Sequence, residues 1–324
     1  MEEDYDGLTL GGGAHKGIGQ LGLLKYLFEH KILKMDKLKF FSGTSIGSVI
    51  ALLLIVGYTP DELFLAIYRI DNFLQIHDLK DKTIWSIFGN HGFMDIKCIT
   101  REVEKLILKK MPRVPTFMDL AVSTGKSLYI PAANLSRMEI TVFSPETTPF
   151  MSCLEAVELS SNLPFIFSMN TFQNEVYIDG GLGDNFPYKY IEGKVKKLFG
   201  IVCSRTADNS ELVFAEKMQI FEYVRRAMLF PIQTIQNIRI KEAMSLNHDI
   251  ARVEMQNIPF FHINPSKEVK RDMFLQGYSQ GELYRPLAEF YVKPLPKTTL
   301  REKDVNVEDV NEGGDWELNW GSFS

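Results

Sequence analysis

Ser45 stands in the pentapeptide Gly43-Thr44-Ser45-Ile46-Gly47, and upstream of it runs Gly11-Gly12-Gly13-Ala14-His15-Lys16-Gly17. The first has the spacing of a nucleophile elbow, in which a serine sits on a sharp strand-to-helix turn and flanking glycines tolerate the strain. The second is a turn whose bare backbone N–H groups can face an anion. One supplies an attacking hydroxyl, the other a place for the oxyanion that its attack creates. The chemistry is acyl transfer. It still needs a base, because a serine hydroxyl is a poor nucleophile until its proton is taken.

Two kinds of base are available. A triad in the chain order Ser, Asp, His would use His248 or His262 after Asp179. Position argues against it: an ordinary α/β-hydrolase lays down several strands before its elbow, and only one strand fits before Leu38. His248 falls in a helical run and His262 within an expected strand, neither flanked by special turn chemistry. Asp179 is the better candidate. Asp179-Gly180-Gly181 follows the apolar run Val176-Tyr177-Ile178, so the carboxylate lies at a strand's carboxyl end, where α/β sheets place their sites. The plain alternative is a D-G turn closing a hairpin. A carboxylate with an ordinary pKa of about 4 is a weak base toward serine. A dry pocket raises its proton affinity. A Ser–Asp dyad also leans on a strong oxyanion hole, in which one donor contributes about 3 kcal/mol.

The glycine run has rival readings. As a dinucleotide loop, Gly11, Gly13 and Gly17 give only a loose G-x-G-x-x-x-G, and the acidic residue expected after the second strand is replaced by Gly43-Thr44-Ser45. It lacks the Gly-Lys-Ser/Thr ending of a P-loop. Gly125-Lys126-Ser127 has that ending, but Leu120 occupies the first glycine position and a strand follows instead of a helix. An oxyanion cradle survives. Lys16 either holds this loop, senses a substrate phosphate, or is a solvent-exposed lysine.

The elements that must position these residues alternate between strand and helix, which implies an α/β fold with a mainly parallel sheet covered by helices. Strands are expected at Gly7–Leu10, Leu38–Ser42, Ser127–Asn134, Glu139–Phe143, Glu175–Ile178, Leu198–Cys203 and Phe260–Ile263. Helices are expected at Ile18–His30, Ile46–Val56, Pro60–His77, Ile96–Lys110, Ser152–Ser161, Phe214–Asn247 (broken near Pro231) and Met273–Val292. The all-apolar Ile46–Val56 helix reads as a buried support for the serine.

Of 324 residues 45% are hydrophobic, enough for a large core. The reading is one domain over residues 5–294 and an acidic, flexible tail over 295–324. From Lys297 onward three basic residues face seven acidic ones, a net −4 of the whole chain's −5, so the body is close to neutral. The chain's net −5 argues against nucleic acid as the main partner. Cys98, Cys153 and Cys203 are few and widely spaced, with neither zinc-ligand spacing nor a disulfide framework. The acidic start Met1-Glu2-Glu3-Asp4 is unlike a signal peptide, and no apolar run is long enough to span a bilayer. The expected setting is intracellular, at most peripheral to membranes.

The three motifs, in this order, resemble the patatin-like phospholipases. Glu155-Ala156, Ser160-Ser161-Asn162-Leu163-Pro164-Phe165-Ile166-Phe167, Asn185 and Pro187 add to the likeness, which extends from about Gly7 to Ser204. The resemblance implies a three-layer α/β/α fold, a Ser45–Asp179 dyad and an oxyanion hole from the backbone of Gly11, Gly12 and Gly13. Lys16, Gly17, Gly43, Gly47, Gly180 and Gly181 would support these motifs. The departures are Ala14, where many members carry another glycine, and His15, which is bulkier than usual.

The expected function is a serine lipid acyl hydrolase working through an acyl-enzyme, with no metal or cofactor. Its partners are a lipid ester and, transiently, a membrane or micelle surface. The alternatives are an acyltransferase on the same fold and a non-catalytic lipid-binding module; a nucleotide-binding oxidoreductase is disfavoured by the missing ribose acid. Two stretches are candidates to line an acyl groove: Phe73, Trp85, Ile87, Phe88 and Phe93, or the helical stripe Met218, Phe221, Val224 and Met228 beside Arg225-Arg226. Core packing is the simpler explanation of either one. Lys194, Lys196 and Lys197 read as a solvated face.

Overall fold

The computed structural model describes residues 4–70, 92–204, 220–255 and 265–282. Its central sheet is built from β1 (Gly7–Leu10), β2 (Phe40–Gly43), β4 (Ser127–Asn134), β5 (Glu139–Phe143), β7 (Asn170–Phe172), β8 (Glu175–Ile178), β9 (Leu198–Ser204) and β10 (Asp249–Glu254). The order is β10-β9-β1-β2-β4-β8-β7, with β5 also paired to β4. The five strands from β10 to β4 are parallel, whereas β5, β7 and β8 join antiparallel. A separate parallel pair joins β3 (Gly92–Met94) to β6 (Phe165–Phe167).

Helices cover both faces. On one lie α1 (Gly17–Glu29), α2 (Ile46–Val56), α3 (Pro60–Arg69), α4 (Lys97–Lys110), α5 (Phe117–Thr124), α6 (Cys153–Ser160) and α10 (Lys267–Glu282). On the other lie the short α7 (Gly181–Asp184) and α8 (Lys189–Glu192) and the long α9 (Ile220–Ser245), over a core that includes Tyr129, Phe186, Tyr188, Ile191 and Ile240. The expected three layers are present.

Local chemistry accounts for several element ends. Thr59 and Glu62 form a capping box at α3 with Pro60 in its first turn, and Thr116 and Asp119 do the same for α5. Gly125 ends α5 in a left-handed conformation, and Lys126 donates to the carbonyls of Met35 and Leu38. Gly125-Lys126-Ser127 is therefore a helix stop and a brace.

The structure departs from expectation in places. α3 ends at Arg69, where Ile70 turns extended. α9 runs unbroken through Pro231. Its buried Leu229, Gln236, Ile240 and Ala243 recur on one side and seat both halves on the sheet, so tertiary packing overrides the local cost of the proline. β10 lies at Asp249–Glu254; the strand expected at Phe260–Ile263 falls outside the described residues, as do the last residues of the Met273–Val292 helix and the tail over 295–324. Among the described residues, no helix is long and apolar enough to cross a membrane.

Candidate active site

β1 and β2 pair with Leu10 opposite Gly43, so the glycine run and the serine turn leave the sheet side by side. Ser45 has φ 54° and ψ −126°, a conformation that costs a non-glycine residue on the order of 1–3 kcal/mol. The surroundings hold it there. Its N–H donates to Ser160 Oγ at 3.1 Å, and that hydroxyl donates in turn to the Pro131 carbonyl at 2.6 Å. Ser48 Oγ donates to the Ser45 carbonyl at 2.6 Å. Gly47 allows the first turn of α2 to press against β1: a Cβ there would overlap the Leu10 carbonyl.

Asp179 reaches this point by the sheet's register. Ser42 pairs with Tyr129, which sets Pro131 level with Thr44, and Ala133 pairs with Ile178 on the antiparallel β8. β8 therefore runs back toward the serine and delivers Asp179 at its end. The carboxylate is buried; burial pushes its pKa up to about 6, opposed by hydrogen bonds from the Ser45 side chain and the Gly181 N–H. The Gly181 bond measures 2.7 Å. Gly180 lies so close to Pro131 that a Cβ would overlap its carbonyl.

In the glycine run the three expected oxyanion amides are not equivalent. Gly11 N–H donates to the Ile201 carbonyl at 2.8 Å and Gly12 N–H to the Asn185 carbonyl at 3.2 Å. Gly13 and Ala14 N–H have no acceptor among the described residues. Ala14 has a φ of 49°, a left-handed value that explains why glycine suits this position. Lys16 is buried, which removes the solvent-exposed reading; its charge lies near Cys203 under the loop.

His248 is placed away from the serine. It precedes Asp249, which pairs with Phe199, itself level with Leu8 and Phe41 at the amino end of the sheet. Ser45 is at the opposite end, on the order of 15 Å along the strands. The His248 ring meets Tyr188 edge-on at 6.2 Å, and burial lowers its pKa. His262 lies outside the described residues. Among the described residues, no three His, Cys, Asp or Glu side chains gather as a metal site.

Ser45 opens onto a cavity of about 230 Å³ that is almost wholly apolar. Ile46, Val49, Ile50 and Leu53 line it at helical spacing, facing α3 and α4. Among the described residues the wall of this chamber is α2, which reads in sequence as buried support. Phe73, Trp85, Ile87, Phe88 and Met218 lie outside the described residues, as do the side chains of Phe93, Phe221, Val224 and Arg225; Met228 is half-buried in α9. Ser160, which in the sequence only adds to the family likeness, clamps the elbow, and Gln236, described below, gives no signal in sequence.

A fold with a serine on a strained strand-to-helix turn, a buried carboxylate beside it and an apolar chamber next to both is that of the α/β acyl hydrolases. Comparison with known proteins narrows the class. The family model described as patatin-like phospholipase matches residues 8–191, and the chain belongs to that family of lipid hydrolases. It is 31% identical over 269 residues to a probable lipid hydrolase, 463L, of Invertebrate iridescent virus 6, covering 81% of this chain and 87% of that protein. It is 25% identical to the uncharacterized YqhO of Bacillus subtilis, covering 80% and 87%. Among solved structures, VipD of Legionella pneumophila has a TM-score of 0.49 at 18% identity, covering 87% of this chain but 66% of its own.

Proposed function

We propose that the protein hydrolyses fatty-acyl esters of phospholipids or lysophospholipids through a Ser45–Asp179 dyad. Asp179 accepts the Ser45 proton as the hydroxyl attacks the ester carbonyl. The oxyanion is met by the unspent amides of Gly13 and Ala14; the Gly11 amide is committed to the sheet, and Gly12 contributes only by leaving Asn185. The leaving alcohol takes the proton back from Asp179. Water, deprotonated by the same carboxylate, then attacks the acyl carbonyl, and the fatty acid leaves as Ser45 Oγ takes the proton back from Asp179. The acyl chain lies against Ile46, Val49, Ile50 and Leu53.

The observation that carries this reading is a serine held on a strained turn beside a buried carboxylate, whose pKa burial raises to about 6 against the opposing pull of Ser45 and the Gly181 N–H. At that value the group is ionised at neutral pH yet basic enough to hold a proton in the transition state. A lipid surface as the source of substrate is supported by Phe165 and Met169, both exposed and flanking the cavity-lining Ile166 and Phe167.

The test is a fluorophosphonate probe and a fluorogenic phospholipid, applied to the wild type, Ser45→Ala and Asp179→Asn. Labelling of Ser45 with acyl release, lost in both variants, is expected. Release that persists in Ser45→Ala refutes the mechanism; transfer of the acyl group to an added alcohol in place of water marks an acyltransferase.

A further inference from the structure

Gln236 lies on α9, far in sequence from every motif and beyond the residues matched by the family model. It is buried, and both ends of its amide are engaged. Nε2 donates to the Cys203 carbonyl at 3.1 Å, at the end of β9. Oε1 accepts from Asn185 Nδ2 at 2.5 Å. Asn185, also buried, holds Gly12 twice: its Nδ2 donates to the Gly12 carbonyl at 3.3 Å, and its own carbonyl accepts the Gly12 N–H. On the other side of the loop, Gln20 Nε2 donates to the Gly11 carbonyl at 2.8 Å.

A trans peptide is planar, so the C=O of one residue and the N–H of the next point in opposite directions. Fixing the Gly12 carbonyl on Asn185 therefore fixes where the Gly13 N–H points. A glycine run has no side chains to hold its peptide planes, and without such anchors they would rotate freely. We infer that Gln236 and Asn185 are positioning residues: Gln236 orients the Asn185 amide, and Asn185 sets the plane of the Gly12–Gly13 peptide and so aims the Gly13 oxyanion donor. Neither side chain is assigned contact with the substrate. The catalytic part of this inference rests on the proposed hydrolase reading; the part that concerns the loop does not.

The experiment pairs two readouts on Gln236→Leu, Asn185→Asp and Gln236→Glu. The first is the amide NMR signal and hydrogen exchange of Gly12 and Gly13. The second is the rate of fluorophosphonate labelling together with kcat and KM. Gln236→Leu and Asn185→Asp are expected to shift both amide signals and to lower kcat and labelling about ten- to a hundredfold, with KM changed less than about twofold. Gln236→Glu, when protonated, retains both an acceptor and a donor. Its rate relative to wild type is expected to be highest at acid pH and to fall as pH rises. Unchanged Gly12 and Gly13 signals overturn the inference, and so do labelling rates within twofold of wild type in variants whose melting temperature has dropped. Shifted amides in a protein whose wild type is never labelled would uphold the positioning and refute the hydrolase. If Gln236→Leu fails to fold, Asn185→Asp, nearly unchanged in shape, decides the matter alone.

Discussion

Replacing Asp179 by asparagine should stabilise the protein while abolishing its activity. In the native state the carboxyl's pKa stands at about 6 instead of 3.8, because burial disfavours the anion by more than the bonds from Ser45 and Gly181 favour it. A rise of roughly two pH units at about 1.4 kcal/mol each makes ionised Asp179 cost on the order of 3 kcal/mol. Between about pH 4 and pH 6 the native state binds more protons here than the unfolded chain does, so this contribution to stability falls as pH rises through that window. The substituted amide keeps an acceptor for the Gly181 N–H and carries no charge. The two proteins should therefore melt together near pH 4, diverge as pH rises through pH 4 to 6, and keep a nearly constant gap at higher pH. The gap should reach about 3 kcal/mol by pH 8, or on the order of 5 °C in Tm. Urea melts of both proteins at half-unit steps from pH 4 to 8 measure that gap, and subtraction removes every other titrating group. A gap that is zero throughout, or the same at pH 4 and pH 8, would mean that the carboxylate is not strained by burial, and the account of the base would fall with it.

Three further outcomes follow from the same geometry. With Asp179 as the base, kcat/KM should fall about tenfold per pH unit below about pH 6; a profile flat down to pH 5 would point to another base. Ser45→Gly should be more stable than Ser45→Ala by about 1–2 kcal/mol in urea melts, the reverse of the usual order in a helix, because only glycine is relaxed at this backbone position. Ser160→Ala strips the Ser45 N–H of its acceptor and the Pro131 carbonyl of its donor; it should lose about 1–3 kcal/mol and label more slowly, and a variant as stable and as fast as wild type would refute the clamp.

The turns that carry Ser45 and Asp179 are legible in the sequence because the glycines of each are demanded by close backbone contact. The alternating order of elements carried the three layers for the same reason. Other features left no local trace. A helix face lining a chamber has the same period as one buried in a core, so Ile46, Val49, Ile50 and Leu53 look identical in either role. The antiparallel arrival of β8 is a matter of pairing with β4, which no short window of residues records. β10 begins two residues after the left-handed Asn247 that follows the long α9, and its six residues are too few for their alternation to stand out from the helix's end. The hydrogen bond between Gln236 and Asn185 joins residues that only the folded sheet brings near.

β9 bears on how the family likeness is used in practice. The family model's match ends at residue 191, yet β9 begins at Leu198 and lies between β1 and β10. Its Ile201 carbonyl holds the Gly11 amide. A chain trimmed at the end of the recognisable region would expose the open edge of β1, an invitation to sheet-to-sheet aggregation, and would release the first glycine of the loop. The stretch that carries the family's signature is therefore not a portable module. Grafts, fusions or expression fragments designed around this site have to bring the later strands with them.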